Sequence, residues 1–218
     1  DEREAALFDL ALRSGMDQQL INSAACAARY TASAFPDSPV PALASGMLAS
    51  GSVTGSPQEP AEMLIEAVGW ELSDGEAARR AVDGWLERRA AVPGLGHPMH
   101  KEAEPRAVTL RRLAIERDGW RTHGKLLDAI EGELERRKGR RIPINLAGAL
   151  GALLADLGFD PLAIGGIGAL GYGMALLAHI VEEIREGVPL RVIPDALGAH
   201  YAGPAERHLP EARRRRRP

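Results

Sequence analysis

Between residues 161 and 181 the chain carries no Asp, Glu, Lys or Arg, and Gly165, Gly166, Gly168, Gly171 and Gly173 punctuate the apolar run. A stretch so long and so poor in charge approaches the length that a bilayer requires. The glycines break its apolarity, however, and His179 followed by Glu182 and Glu183 suits a buried helix emerging into water. Small residues at this density let helix backbones approach closely, in a soluble helical core as much as in lipid. The expectation is therefore a helix over 168–185 at the centre of a helical protein, and no membrane partner.

A second run, 144–157, is apolar on nearly every side and predicts another central helix. Around these two, apolar residues recur at helical spacing with recognisable ends. A first helix runs to about Arg13, a second is capped by Asn22 and Ser23 and reaches about Ala34, and a short one covers about 40–50. Further helices are expected over 59–68, over 74–89 behind a cap at Ser73 or Asp74, and from Pro105 to about Asp118. Leu126, Leu127, Ile130 and Leu134 mark another, which ends in Arg136, Arg137, Lys138 and Gly139. Only 190–193 alternates enough to suggest a strand, and 203–210 reads as coil. With 4% aromatic residues and 24 glycines, the core must come from Leu, Ile, Val and Ala on closely packed helices.

The 218 residues, 45% hydrophobic and 26% charged, suffice for one large domain or two intimate ones. A net charge of −3 gives no electrostatic reason to expect nucleic acid or an anionic membrane. The basic run 213–217 is either a frayed, solvated tail or an arm that reaches a partner subunit. The single cysteine, Cys26, cannot form an internal disulfide, which points to a reducing cytoplasm and a small core residue. Residue 1 is Asp rather than Met, as expected of a chain that is processed, trimmed or a fragment. His123, His200 and His208 are expected at the surface, and Trp70, Trp85 and Trp120 as core or interface anchors.

Chemistry concentrates in Gly94-Leu95-Gly96-His97-Pro98-Met99-His100-Lys101-Glu102-Ala103-Glu104-Pro105-Arg106. Two glycines let backbone approach a ligand, and His97 offers a donor or acceptor on a rigid turn. Lys101 and Arg106 supply positive charge for carboxylate or phosphate. A second small-residue loop, 50–57, has the same capacity for close approach. No histidine or cysteine spacing suggests zinc.

The pattern G-x-G-H-P-x-H-K-x-x-(D/E)-P-R resembles the signature loop of citrate synthases and citryl-CoA lyases. The segments 144–149, 154–159 and 201–210 are similar to later stretches of the same superfamily, closest to its citryl-CoA lyase branch. The resemblance implies an all-α fold of two domains with the active site in the cleft between them. Residues 1–56 and 144–218 would form the large domain, and 57–143 the small one, with the signature loop at 92–106. It also implies a homodimer and a coenzyme A thioester as substrate, with no metal. His97 would act as base or polariser at the oxygen of the reacting carbon, and Arg106 would clamp a substrate carboxylate. Val92, Gly94, Leu95 and Gly96 would lie along the CoA adenine, and Asn145 would contact substrate. Arg140 and Arg141 would meet the CoA phosphates, although a basic helix end is explained equally by the helix dipole.

The chain departs from that family where proton transfer is expected. Gln18 stands in Asp17-Gln18-Gln19 in place of a substrate-binding His, and Thr54 in place of the His that stabilises the enol form of the thioester. Ala147 replaces the Asp that moves the α-proton, and Tyr172 falls where a later Arg is expected. Losing one general acid or base typically costs about 10² to 10⁴ in rate. Two readings follow: a carbon–carbon lyase or acyltransferase acting on a substrate other than citrate, with Thr54 as a weak oxyanion donor, or a non-catalytic paralogue. The second would bind CoA or serve as partner to a complete paralogue in a heteromer.

Overall fold

The computed structural model describes residues 1–16, 19–51 and 55–192. Gln18, Thr54, Asp17, His200, His208 and the whole segment 193–218 lie outside the described residues. Nine helices make up the described part: α1 Glu2–Ser14, α2 Ser23–Ala34, α3 Val40–Leu48, α4 Gln58–Val68, α5 Asp74–Glu87, α6 Pro105–Glu116, α7 Thr122–Lys138, α8 Leu146–Asp156 and α9 Pro161–Glu186. The only β-type pairing among the described residues is an isolated antiparallel bridge between Leu95 and Ile144.

Helix ends follow side-chain chemistry. In α1, Asp1 and Glu4 form a reciprocal capping box, and Ser73 with Glu76 does the same for α5. Asn22 accepts the N–H of Ala25 at the start of α2, and Gly139 ends α7 in the left-handed conformation. The N-terminus of α9 differs from the expected one. It begins at Pro161 behind Asp160, whose carboxylate accepts the N–H groups of Leu162 and Ala163, and the glycines that follow stay helical. A good cap and a proline at the first helical position outweigh the roughly 1 kcal/mol that each glycine costs against alanine. The expected strand over 190–193 does not form at its described positions. Leu190 has φ of +52°, and Leu190 N–H donates to the Ser33 carbonyl at 3.1 Å.

Two clusters of buried apolar side chains result. The first gathers around α8, which is buried from Leu146 to Ala155, and draws on α1, α4, α5, α6, α7 and the start of α9. The second is smaller and alanine-rich, with Ala24, Ala25, Ala28, Ala32 and Ala42 against Leu176 and Ile180 of α9. At 26 residues α9 is long and apolar enough to cross a membrane by length and composition, and 28% of its most apolar window is buried. Its outward residues Leu162, Leu170 and Met174 are exposed.

Several single residues depart from expectation. Glu183 does not emerge into water: its side chain is fully buried and accepts from Arg29 at 2.8 Å and from Arg191 at 2.8 and 3.0 Å. His123 is half-buried rather than fully exposed, and its Nδ1 lies 3.0 Å from a carboxylate oxygen of the buried Asp156. Cys26 is only half-buried. Trp120 is in the core, whereas Trp70 and Trp85 are half-buried with Arg80 and Arg88 over their rings.

Candidate active site

The signature loop docks on the start of α8 through backbone. Gly94 carbonyl accepts the N–H of Asn145 at 2.9 Å, Gly96 N–H donates to Pro143 carbonyl at 2.7 Å, and Gly96 carbonyl accepts from Asn145 Nδ2 at 2.9 Å. The approach is close enough to require glycine on both sides. A Cβ on Gly94, where φ is +80°, would lie 2.7 Å from Gly148 Cα, and one on Gly148 would collide with the Gly94 carbonyl. This contact explains the first glycine of the motif by packing rather than by a ligand. The Val92 and Leu95 side chains point into the main core, and Gly94 is buried as well. These residues can therefore meet a ligand only through the remaining backbone edge. Both ends of the Asn145 amide are engaged inside the protein, Oδ1 by the N–H of Gly148 and Nδ2 by Gly96. The structure thus uses Asn145 to join loop and helix.

His97 is half-buried beyond that clamp. Its Nδ1 accepts the N–H groups of Met99 and His100, both at 3.1 Å, while Lys101 Nζ donates to its carbonyl. Two donors on Nδ1 require a neutral ring with the proton on Nε2. Burial lowers the His97 pKa from its ordinary 6.5; the Glu104 charge pulls it back up, and the charges of His100, Arg106 and Lys101 lower it further. His97 thus presents an N–H donor to whatever lies before Nε2. The His100 ring packs against it at 4.6 Å.

Glu104 organises the rest, a role that sequence reasoning missed. Only 1% exposed, it gives Oε1 to Arg106 Nε and Nη2 at 2.9 and 2.6 Å, and Oε2 to the N–H of Leu146 at 2.7 Å. A carboxylate at a helix N-terminus is favoured by the dipole. Here it also holds Arg106 in place while 27% of that side chain remains exposed. The acidic residue two before Arg106 was visible in the motif, but its burial, in contrast to the exposed Glu102, comes only from the fold. Tyr172 of α9 reaches the same neighbourhood. Burial raises its phenol pKa, and the charges of Arg106 and Glu104 act on it.

Ala147 stands in the first turn of α8, buried, and a Cβ on Gly55 would lie 4.0 Å from its Cβ. The loop that contains Thr54 thus ends beside the position where a carboxylate was expected. Arg140 and Arg141 are exposed, with Arg141 3.7 Å from Glu131, and both lie beyond the C-terminus of α7. Among the described residues no group of three or more His, Cys, Asp or Glu could hold a metal ion. A groove of about 550 Å³ runs between α1 and α6, and Arg106 lines it but His97 does not.

Fold and site together define an all-helical protein whose glycine-flanked histidine loop rests on the N-terminus of a central helix. Residues 1–192 match the family model described as citrate synthase, C-terminal domain, and the chain belongs to that family. The citrate synthase of Deinococcus radiodurans is 26% identical over 209 residues, which is 94% of this chain but 53% of that protein. The chain spans about half the length of that curated relative. The structure of citryl-CoA lyase from Hydrogenobacter thermophilus superposes with a TM-score of 0.87 at 28% identity, covering 98% of this chain and 82% of that one. ATP citrate lyase from Methanosaeta concilii, a D541A mutant in complex with (3S)-citryl-CoA, shares the fold with a TM-score of 0.76 at 24% identity, over 94% of this chain and 35% of that chain.

Proposed function

We propose that this protein makes or cleaves a carbon–carbon bond adjacent to a CoA thioester, as a citryl-CoA lyase or citrate synthase-like enzyme whose substrate is not citrate. The observation that carries the reading is the locked tautomer of His97, an N–H donor backed by the Glu104–Arg106 pair. Such a donor polarises a carbonyl or stabilises a developing alkoxide at the reacting carbon. Of the two roles open to His97, polariser fits better than base, because accepting a proton at Nδ1 would break both loop bonds. Arg106 holds a substrate carboxylate, Gln18 assists it, and Thr54 donates weakly to the thioester oxygen. Coenzyme A lies along the outer edge of 92–96, with Arg140 or Arg141 at its phosphates.

The working unit in this reading is a homodimer or a heteromer with a complete paralogue in the cytoplasm, and the cleft separates 57–143 from the flanking segments. The exposed apolar residues Val40, Leu48, Leu162, Leu170 and Met174 support a covered surface of this kind. A second reading, a non-catalytic CoA binder or partner subunit, is favoured by Ala147, whose methyl group cannot move a proton.

Assays of the purified protein with citryl-CoA, and with acetyl-CoA plus a series of 2-oxo acids, separate the two. Turnover that exceeds the oxaloacetate rate with another acid, and that falls at least 10²-fold in His97→Ala, supports the first reading. CoA binding without any turnover supports the second, and turnover that survives His97→Ala removes the role given to His97.

A further inference from the structure

We infer that the groove between α1 and α6 is a binding site for a small amphipathic carboxylate, an anionic head on an aliphatic or aromatic body. Its floor is apolar: Leu10 of α1 faces Leu110 and Leu113 of α6, and the small side chain of Ala6 leaves the outer wall open. At about 550 Å³ the groove falls in the usual size range of small-molecule sites, roughly 300 to 1,000 Å³.

The charges on its walls have one sign. Arg13, Arg106 and Arg117 line it and no acidic residue does. Two of the three are matched by carboxylates outside the lining, Arg13 by Asp9 at 2.5 Å and Arg106 by Glu104. Arg117 has no carboxylate partner among the described residues; one of its guanidinium nitrogens donates to the Leu113 carbonyl of its own helix. The hydroxyls of Ser14 and Thr109 complete the polar rim. A purely apolar ligand would offer no charge complement to the arginine rim, and a compact polyanion would waste the leucine floor. A monoanion with an apolar body satisfies both. The inference does not depend on the proposed reaction, although Arg106 lines both places, so occupancy of the groove would be felt at the candidate active site.

Calorimetry with hexanoate, octanoate and decanoate tests the site directly. The expected result is saturable one-to-one binding that tightens by about fourfold per buried methylene and weakens in high salt. Ala6→Trp, at an exposed helical position, should fill the groove and lower affinity at least tenfold. Arg117→Glu should lower it by roughly three- to tenfold, whereas Arg79→Glu on α5, exposed and outside the groove, should leave it unchanged. Circular dichroism of each variant establishes that it is folded. The inference is overturned if no carboxylate saturates, if affinity does not rise with chain length, if an alkylamine of equal length binds as well, or if binding survives Ala6→Trp in a folded protein.

Discussion

Helices α7 and α8 both begin against a buried carboxylate, and the two starts differ in what that carboxylate holds besides the helix. Asp156, at the end of α8, accepts the N–H groups of Arg121, His123 and Gly124 at 2.7 to 3.0 Å, and the His123 ring as well. The N–H of Thr122 in the same turn has no acceptor among the described residues. At α8, Glu104 takes the N–H of Leu146 and Asn145 takes that of Gly148, while the N–H of Ala147 between them has no acceptor among the described residues. Each start thus keeps one donor and a partial positive charge, and the one at α8 lies beside the signature loop. The comparison teaches that an identical physical device, a carboxylate on orphan N–H groups, serves architecture at α7, whereas at α8 it also orients the arginine of the signature motif.

The strongest way to break the comparison is Glu104→Ala. It would leave Arg106 without its buried partner and Leu146 N–H without an acceptor, and urea unfolding should register a loss of about 3 kcal/mol. That is the low end for a broken buried pair, because Arg106 is partly exposed. Asp156→Ala should cost about 2 kcal/mol, as a cap that serves several donors at once. Hydrogen exchange should then quicken at Arg121, His123 and Gly124 while the amides of Gly96 and Asn145 stay protected. If those two amides loosen equally, the helix starts are not independent.

Asn145→Ala sharpens the α8 side. Loss of an N-cap costs about 1 kcal/mol, and the bond to the Gly96 carbonyl goes with it, so exchange should quicken at Gly148 and at the loop together. The smallest effect concerns pH. The folded state holds the His97 pKa below its ordinary 6.5, so the unfolded chain binds more protons in that window and stability must fall as pH falls through it. Protonation also breaks the two bonds that Nδ1 accepts. His97→Gln should flatten this part of the stability profile between pH 8 and 5. Nitrogen NMR of the wild-type ring should find the proton on Nε2 at neutral pH.

Much of the helical pattern was legible along the chain because caps and apolar spacing act over three or four residues. Asn22, Ser73 and Gly139 mark ends that the structure keeps. The extra length of α9 was not legible, since glycines normally weaken a helix and only packing against α1 and α4 shows why they are tolerated here. The motif at 94–106 drew attention to His97 and Arg106 and set its acidic position at Glu104, but it could not show that Glu104 is buried or that it reaches Leu146. Nor could it reveal that Asn145 reaches back to Gly96.

What the amino-acid sequence determined by itself was local: helix starts and stops, an aliphatic core poor in aromatics, a glycine-flanked histidine, and an alanine at position 147. Tertiary structure alone decided which carboxylates became buried partners, because Glu104 meets Leu146 and Asp156 meets Arg121 across 42 and 35 positions of chain. Burial and hydrogen-bond geometry depend on which helices come to share a core, and that is a property of the whole packing rather than of any window of residues.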